Sequence, residues 1–567
     1  MTFALDKYLK FLPASAAVVA VEFLSGVASC VICGQIIGED GLSALNLMQP
    51  VANAVTFLAL LAGIGTSVLF ATEMGRFDKR RASEYATQGL WTVLILGSLS
   101  MLVLALVRHF AAGAFGVTGA VLVGLKEYWL WFLPCALLEP LSVYLSSLCY
   151  ADGDPKTCIG AYIVQFAATC AFSVWLTLRM GFAGCALGTI IGHVLAVAVL
   201  CMHFVRKENN IEYAWHFSVC DSWSICRCAI GDASSRIFEG ALILALNLYV
   251  VARFGEGMLP VLSVAVVVLS AVEFFDGVPR AMQPLVSVYV GEGNDRLVFR
   301  VLRYAEILAF AEGAALALLL ILFPQFAVSM VGITDPGLVG EAMTAVRIVA
   351  AGLVGLAFMA LFNSYWTYIA KESLALALTA CTMFVAPVVL FVAFGEVFGV
   401  VGVWAALAIA PFAAIGAFAF FICAKWGRKE LPHFLDWRRA ARIRVFDLVL
   451  SPKAICGVSE KIRKFLAIRR GFGRAKADLT ALLVEETLML VKDHNKGRKT
   501  RAEISLDFSR SDELRLIVRD DGEIFNLTDT DAEVSSLRAY LVSNLMVFLP
   551  AKRNMTITGF NRNIFQI

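Results

Sequence analysis

The sequence predicts an all-α membrane body of twelve transmembrane helices in two parallel six-helix repeats, followed by a separate C-terminal domain of alternating strands and helices. Three observations carry this reading. Of the 567 residues, 59% are hydrophobic and 16% charged, with a mean hydropathy of +0.76; soluble domains are about 45–50% apolar and about 25% charged. The charges are also unevenly spread, because apolar runs of about 20 residues, the length that crosses a bilayer, fill the chain before Lys425, while charged residues crowd the stretch after Arg428. Finally, the chain lies over itself when slid by about 216 residues, as expected of a duplicated bundle.

Candidate spans begin near Phe11, Ala44, Gln88, Tyr128, Cys158, Ala183, Ala233, Leu259, Val301, Met343, Ser373 and Gly399. Lys7 and Lys10 precede an apolar run from Phe11 to Ile37, longer than a signal-peptide core, so it reads as a retained first span. Arg76, Lys79, Arg80, Arg81, then Arg206, Lys207, Arg227, then Arg296, Arg300, Arg303, then Lys425, Arg428, Lys429 fall in alternate turns. The intervening turns hold single charges such as Arg108, Arg179 and Arg253. This bias predicts an integral plasma (inner) membrane protein with both termini cytoplasmic. The expected domains are residues 1–210, 211–428 and 437–567.

The repeat rests on several glycine turns. Gly116-Val-Thr-Gly-Ala-Val-Leu-Val-Gly124 lies over Gly332-Ile-Thr-Asp-Pro-Gly-Leu-Val-Gly340, Gly75 over Gly291, and Gly184 close to Gly402. Each match alone is common at helix ends; their near-common offset makes the two halves parallel repeats.

A net charge of +3 provides no basic field for nucleic acid, so none is expected as a partner. Most of the 14 cysteines lie in apolar spans, where a thiol acts as a small hydrophobe. Cys220, Cys226 and Cys228 cluster but lack a second metal-type pair, so no metal site is expected.

The Ile37-Gly-Glu-Asp-Gly-Leu-Ser-Ala-Leu45 turn, the Met74-Gly-Arg-Phe-Asp78 loop, the Asp152-Gly-Asp-Pro-Lys156 loop, and Gln283-Pro284 with Gly291-Glu-Gly293 resemble the multidrug and toxic compound extrusion family over about residues 8–426. The resemblance implies secondary active export of a small organic, often cationic, substrate from a cleft between two bundles in membrane lipid. A Na⁺ or H⁺ gradient would drive it, with no cofactor required.

A carboxylate within a span costs roughly 2.5–3.5 kcal/mol on insertion scales, which draws attention to Glu22, Glu139, Glu239, Glu273, Asp276 and Glu312. The resemblance places a cation-binding glutamate at Glu239, and the repeat lays Glu22 over it. The two would then be paired acids on equivalent helices, able to share a cation or substrate; the plainer alternative for each is a hydrogen bond to a neighbouring helix. Glu139 and Glu273 complete the candidate coupling set. Asp276, one helical turn after Glu273, Tyr249 and Asn247 are candidate cleft residues. Where many relatives carry an aspartate in the first span, this chain has Ser29, which leaves the coupling ion open. Trp129, Trp131, Tyr144, Tyr365 and Trp366 suit either a cleft or a membrane interface.

In the tail, Ile443–Leu450, Glu503–Phe508, Leu514–Val518 and Met555–Ile567 alternate as strands, while Val458–Ile468, Asp478–Asn495 and Glu533–Phe548 are helical. Leu483-Val-Glu-Glu486, Val518-Arg-Asp-Asp-Gly522 and Gly559-Phe-Asn-Arg-Asn563 resemble the anti-sigma-factor branch of the histidine-kinase-like ATPases, whose fold is a two-layer α/β sandwich. The resemblance assigns Glu486 to water and Mg²⁺ and Asp520 with Gly522 to adenine. However, Leu490 stands where the family's asparagine would be, and Ser535-Ser-Leu-Arg-Ala539 replaces a glycine-rich phosphate loop. Leucine cannot ligate a hard cation, which argues against ATP and Mg²⁺ chemistry and hence against an enzyme. A nucleotide sensor, a protein-interaction domain with a cytosolic partner, and an active ATPase or kinase all remain open for the tail. For the whole chain the alternatives to efflux are a lipid-linked sugar flippase and a membrane-tethered regulator using the body as receptor. Buried acids with few buried arginines favour a cationic cargo over the phosphate-bearing lipid a flippase would hold.

Overall fold

A computed structural model describes residues 2–114, 119–205, 211–213, 215–331, 336–427, 435, 437–469, 472–508, 514–523, 542, 551–557 and 560–567. The first set of helices is α1 (Phe3–Ile36), α2 (Glu39–Gly75), α3 (Lys79–Ala114), the bent pair α4 (Gly119–Phe132) and α5 (Cys135–Ala151), then α6 (Pro155–Met180) and α7 (Phe182–Val205). The second set runs α8 (Val219–Ala233), α9 (Ser235–Phe254), α10 (Leu259–Leu269), α11 (Val272–Phe275), α12 (Gly277–Glu292), α13 (Asp295–Leu322) and α14 (Gln325–Val331). It ends with the bent pair α15 (Pro336–Ala350) and α16 (Leu353–Tyr368), then α17 (Glu372–Ala380) and α18 (Ala386–Trp426), the last two joined by a π-helical turn at Cys381–Val385.

Nine helices among the described residues are long and apolar enough to cross a membrane, or eleven if each bent pair is one crossing. Several start well before their apolar runs. Thr2 caps α1 and Asn294 caps α13 by accepting from backbone N–H groups, so hydrogen bonding carries each helix beyond its hydrophobic stretch. The final apolar segment, Glu372–Trp426, spans 55 residues and breaks at Gly399, where φ is 66°. Gly181, between α6 and α7, has φ 59°. Both positions need the left-handed freedom of glycine to turn one helix into the next.

The repeat is visible as contact. Ser67 and Gln283, 216 residues apart, hydrogen-bond to each other. A Cβ on Gly75 would come within 2.3 Å of the Val288 carbonyl oxygen, and one on Gly291 within 2.0 Å of the Thr72 carbonyl oxygen. Each half thus offers the same glycine to the same carbonyl of the other, and α2 and α12 touch backbone to backbone. Gly184 likewise faces the Leu176 carbonyl of α6, and Gly402 faces the Phe394 carbonyl on the other side of the break at Gly399 in α18. The overlay of Gly116–Gly124 on Gly332–Gly340 falls partly outside the described residues.

The tail holds α19 (Trp437–Arg442), α20 (Pro452–Ala467) and α21 (Arg474–His494), with strands β1 (Ile443–Val449), β2 (Arg501–Asp507), β3 (Arg515–Asp520), β4 (Ala551–Ile557) and β5 (Phe560–Gln566). The sheet is antiparallel in the order β1-β2-β3-β5-β4. Period-two alternation sends Ala502, Ile504, Leu506, Leu516, Val518 and Phe565 into a core with Ile455, Ile462, Leu483 and Leu488 of the two helices. The single strand expected over Met555–Ile567 is instead two antiparallel strands, β4 and β5. The expected helix Glu533–Phe548 and the loop Ser535–Ala539 lie outside the described residues, Val542 apart.

Candidate functional site: a charged cavity between the two halves

A cavity of about 910 Å³ lies between the two sets of helices. Its walls come from Val19 to Gln35 of α1 and Leu45 to Leu60 of α2, with Tyr128, Phe132, Glu139, Ser142, Gln165 and His193 from the rest of the first half. The second half contributes Arg236, Ser270, Glu273 and Arg280, among others. All these stretches of α1 and α2 belong to the helix ends away from the tail. Toward the tail, Ser15 donates to the Gly277 carbonyl at 2.7 Å, Tyr8 to the Val278 carbonyl at 3.1 Å, and Tyr150 to the Phe11 carbonyl at 3.0 Å. Together with Ser67 and Gln283 these bonds form the cavity floor.

Two arginines missed in the sequence reading organise the charges. Arg280, 23% exposed, meets Glu22 at 3.0 Å. Arg236, 15% exposed, meets Glu273 at 2.5 Å, with Glu239 and Asp276 at 3.8 and 3.9 Å. Both are legible in hindsight: Arg236 precedes Glu239 by one helical turn, and Arg280 follows Asp276 by one. In the structure each reaches first to another helix, Arg280 to Glu22 of α1 and Arg236 to Glu273 of α11, so the spacing marks the arginines but not their nearest partners.

The candidate residues therefore separate. Glu22, Glu139 and Glu273 share the cavity. Glu239 does not: it lines a smaller pocket within the second half, with Leu242, Ile243, Leu356, Thr382 and Met383. The pairing of Glu22 and Glu239 over one ligand is thus not what the structure holds, because each acid is turned toward a different arginine. Asp276 reaches toward Arg236. Tyr249 approaches Glu396 and the Val392 carbonyl, and Asn247 donates to the Ile243 carbonyl of its own helix; neither lines the cavity.

Glu139 differs from the other cavity acids. Its carboxylate accepts a 2.6 Å hydrogen bond from Thr56, and no arginine or lysine salt bridge reaches it among the described residues. The cavity aromatics are Phe23, Tyr128, Phe132 and Tyr162; Tyr128 and Phe132 share a face at i and i+4 and are stacked at 6.0 Å. Trp129 points elsewhere and donates to the Leu104 carbonyl, while Tyr144, Tyr365 and Trp366 are packed in the core.

In the tail, Asp520 is buried and accepts from Asn561 at 2.9 Å and from the Gly522 N–H at 3.0 Å. Burial raises its carboxyl to about 6. A Cβ on Gly522 would meet the Asn495 side chain. Glu486 lies on α21.

Residues 14–176 match the MatE family model. No curated protein matches the chain. Among solved structures, a MATE protein in complex with MaL6 is similar over 75% of this chain and 95% of that one, at 21% identity and a TM-score of 0.69. A multidrug resistance MATE family transporter of the MOP superfamily, in an outward-facing conformation, is similar over the same shares at 20% identity and 0.69. So is a MOP superfamily transporter from Pyrococcus furiosus, described as having a binding pocket of reverse polarity that suggests a different function, at 20% identity and 0.69. The helical body has the fold of these transporters.

Proposed function

We propose that the chain is a secondary active exporter in which Glu139 couples an ion gradient to movement of a small organic compound through the central cavity. The observation that carries this is the Thr56–Glu139 contact. A carboxylate in a cavity wall, held by a hydroxyl and, among the described residues, in no ion pair with a guanidinium, can take up and release a proton or a Na⁺ without first breaking an ion pair. Glu22, Glu239 and Glu273 already have arginine partners, so they set the field of the site and Glu139 is its exchangeable charge. In this reading the Lys/Arg-rich turns face the cytoplasm, Glu372–Trp426 counts as two crossings about Gly399, and the body has twelve spans. The tail is a regulatory domain on the inner face.

The test is the purified chain in vesicles under an imposed Na⁺ or H⁺ gradient, read with a cationic dye. Glu139→Gln is expected to abolish gradient-dependent export, and Glu239→Gln to retain it. Wild-type export by Glu139→Gln under both gradients would sink the assignment. A second reading draws on Arg236 and Arg280: two guanidiniums at the cavity give an anionic headgroup a bidentate partner. Transfer of a fluorescent phosphate-bearing lipid, with no movement of dye, would favour it.

A further inference from the structure

The outward face of the tail sheet, the one turned away from its own two helices, is not solvated. Arg519 of β3 and Arg562 of β5 both clasp Glu292 at the end of α12, and all three side chains are 0% exposed. Arg562 also donates to the Met74 carbonyl at the end of α2, so one guanidinium bonds both halves of the body. Around this centre, Arg515 donates to the Glu292 carbonyl at 3.0 Å, Asn294 to Ser505 at 3.2 Å, and Arg300 to Asp447 at 2.8 Å. On the side of the first half, the Phe3 N–H donates to Asp447 at 3.0 Å, Arg501 meets Asp6 at 3.0 Å, and Asp521 lies 3.8 Å from Lys10.

The seam under this face is where Gly75 and Gly291 meet. In the turn after α12 the left-handed residue is Gly293, with φ 71°; in the corresponding turn after α2 it is Phe77, with φ 64°. A bulky residue there is strained. Its ring lies 4.0 Å from the Arg562 guanidinium, a cation–π contact that holds it in place.

We propose that the tail is a latch: docked across both halves, it holds α2 and α12 together at the tail-side end and arrests the cavity open only to the opposite side. The inference rests on the transport reading above, since a cycle of alternating access requires those two helix ends to part. One rigid sheet face bonded to both ends forbids that. Release hydrates Glu292, Arg519 and Arg562 together and strands none of them, so the latch is reversible.

The test uses the full chain in vesicles with the native cysteines replaced. Charge reversal at the rim, Asp447→Lys with Asp521→Lys, breaks the contacts to Arg300 and Phe3 and those of Asp521 to Lys10 and, at 4.0 Å, to Lys7. Within the tail it removes one hydrogen bond, from the Arg501 N–H to Asp521, and leaves the apolar core intact, and it is expected to speed export several-fold. Conversely, Lys7→Cys with Asp521→Cys plus Asn294→Cys with Ser505→Cys ties the tail to both halves; oxidation is expected to stop export and reduction to restore it. Unchanged export on oxidation, with the cross-links verified by mass, would overturn the latch. Spin labels at Arg80→Cys and Arg303→Cys report the spacing of the halves whether or not any dye moves. A short, narrow distance that broadens to longer values in the Asp447→Lys, Asp521→Lys chain supports the latch even if the transport reading fails, and an unchanged distribution overturns it.

Discussion

Arginine–carboxylate clusters occur at two levels of this molecule, and they differ in water. In the dock, Glu292, Arg519 and Arg562 are 0% exposed; in the cavity, Glu22 and Arg280 are 34% and 23% exposed. A fully buried pair cannot lose one member without leaving the other charge uncompensated, at about 3–5 kcal/mol. A pair that water reaches contributes only about 0–1 kcal/mol. The dock is therefore a joint that holds or releases as a unit, whereas the cavity pairs can exchange partners with a cargo.

The largest break in this comparison is Glu292→Ala. It takes the carboxylate from the buried Arg562 guanidinium and leaves Arg519 with Glu503 alone, and a loss of about 3–5 kcal/mol in docking is expected. Hydrogen exchange of β3 and β5 in the full chain measures it. Protection equal to wild type would mean that the existing Arg519–Glu503 pair, at 2.9 Å, holds the joint without Glu292.

Asp520 sharpens the same contrast within the tail. Burial raises its carboxyl from 3.8 to about 6, so the folded tail prefers it protonated. That stabilisation is present below about pH 4 and lost as pH rises through about 6, amounting to about 3 kcal/mol at most. Asp520→Asn retains an acceptor for the Gly522 N–H and removes the titration. Exchange protection of β3 at pH 7.5 is expected to rise in the variant, and its change between pH 4.5 and 7 to vanish. A wild-type pH response in the variant would place the titrating group elsewhere.

The glycine repeat was readable in the sequence because two backbones that touch leave no room for any other residue at Gly75 and Gly291. The strands of the tail were readable for a similar reason, since alternation at Ala502, Ile504 and Leu506 follows from a core on one side. Alternation does not tell what covers the other side. Arg519 and Arg562 sit at outward positions that read as solvated, and Glu292 reads as a polar turn, although all three are buried. Of the four acids expected as a coupling set, Glu22, Glu139 and Glu273 line one cavity, but reading the acids one at a time passed over Arg236 and Arg280. It also joined Glu239 to Glu22 by symmetry when their arginines draw them apart.

Gly291→Ala tests the seam between the two levels. The added Cβ would fall 2.0 Å from the Thr72 carbonyl oxygen, a backbone atom that cannot swing aside, and overpacking of this kind costs about 1–3 kcal/mol. The cost applies only while the seam is closed. The variant is expected to shift the Arg80–Arg303 label distance toward longer values and to loosen the dock with it, without unfolding either half. A seam that stays closed, with lowered overall stability, would mean that α2 and α12 separate only when the body unfolds.

The smallest stability effect belongs to Glu22→Gln, because the lost ion pair with Arg280 is partly wet and contributes no more than about 1 kcal/mol. Its effect on selection is larger in kind. The substitution leaves the Arg280 guanidinium facing the cavity without its carboxylate and raises the charge there by one. Coulomb energy in a cavity of intermediate dielectric then disfavours a cationic cargo and favours an anionic one. Competition between a cationic and an anionic dye in vesicles is expected to shift toward the anion, with the thermal midpoint nearly unchanged. If selection does not move, the cargo never approaches Arg280, and the site narrows to Glu139, Thr56 and the stacked rings of Tyr128 and Phe132.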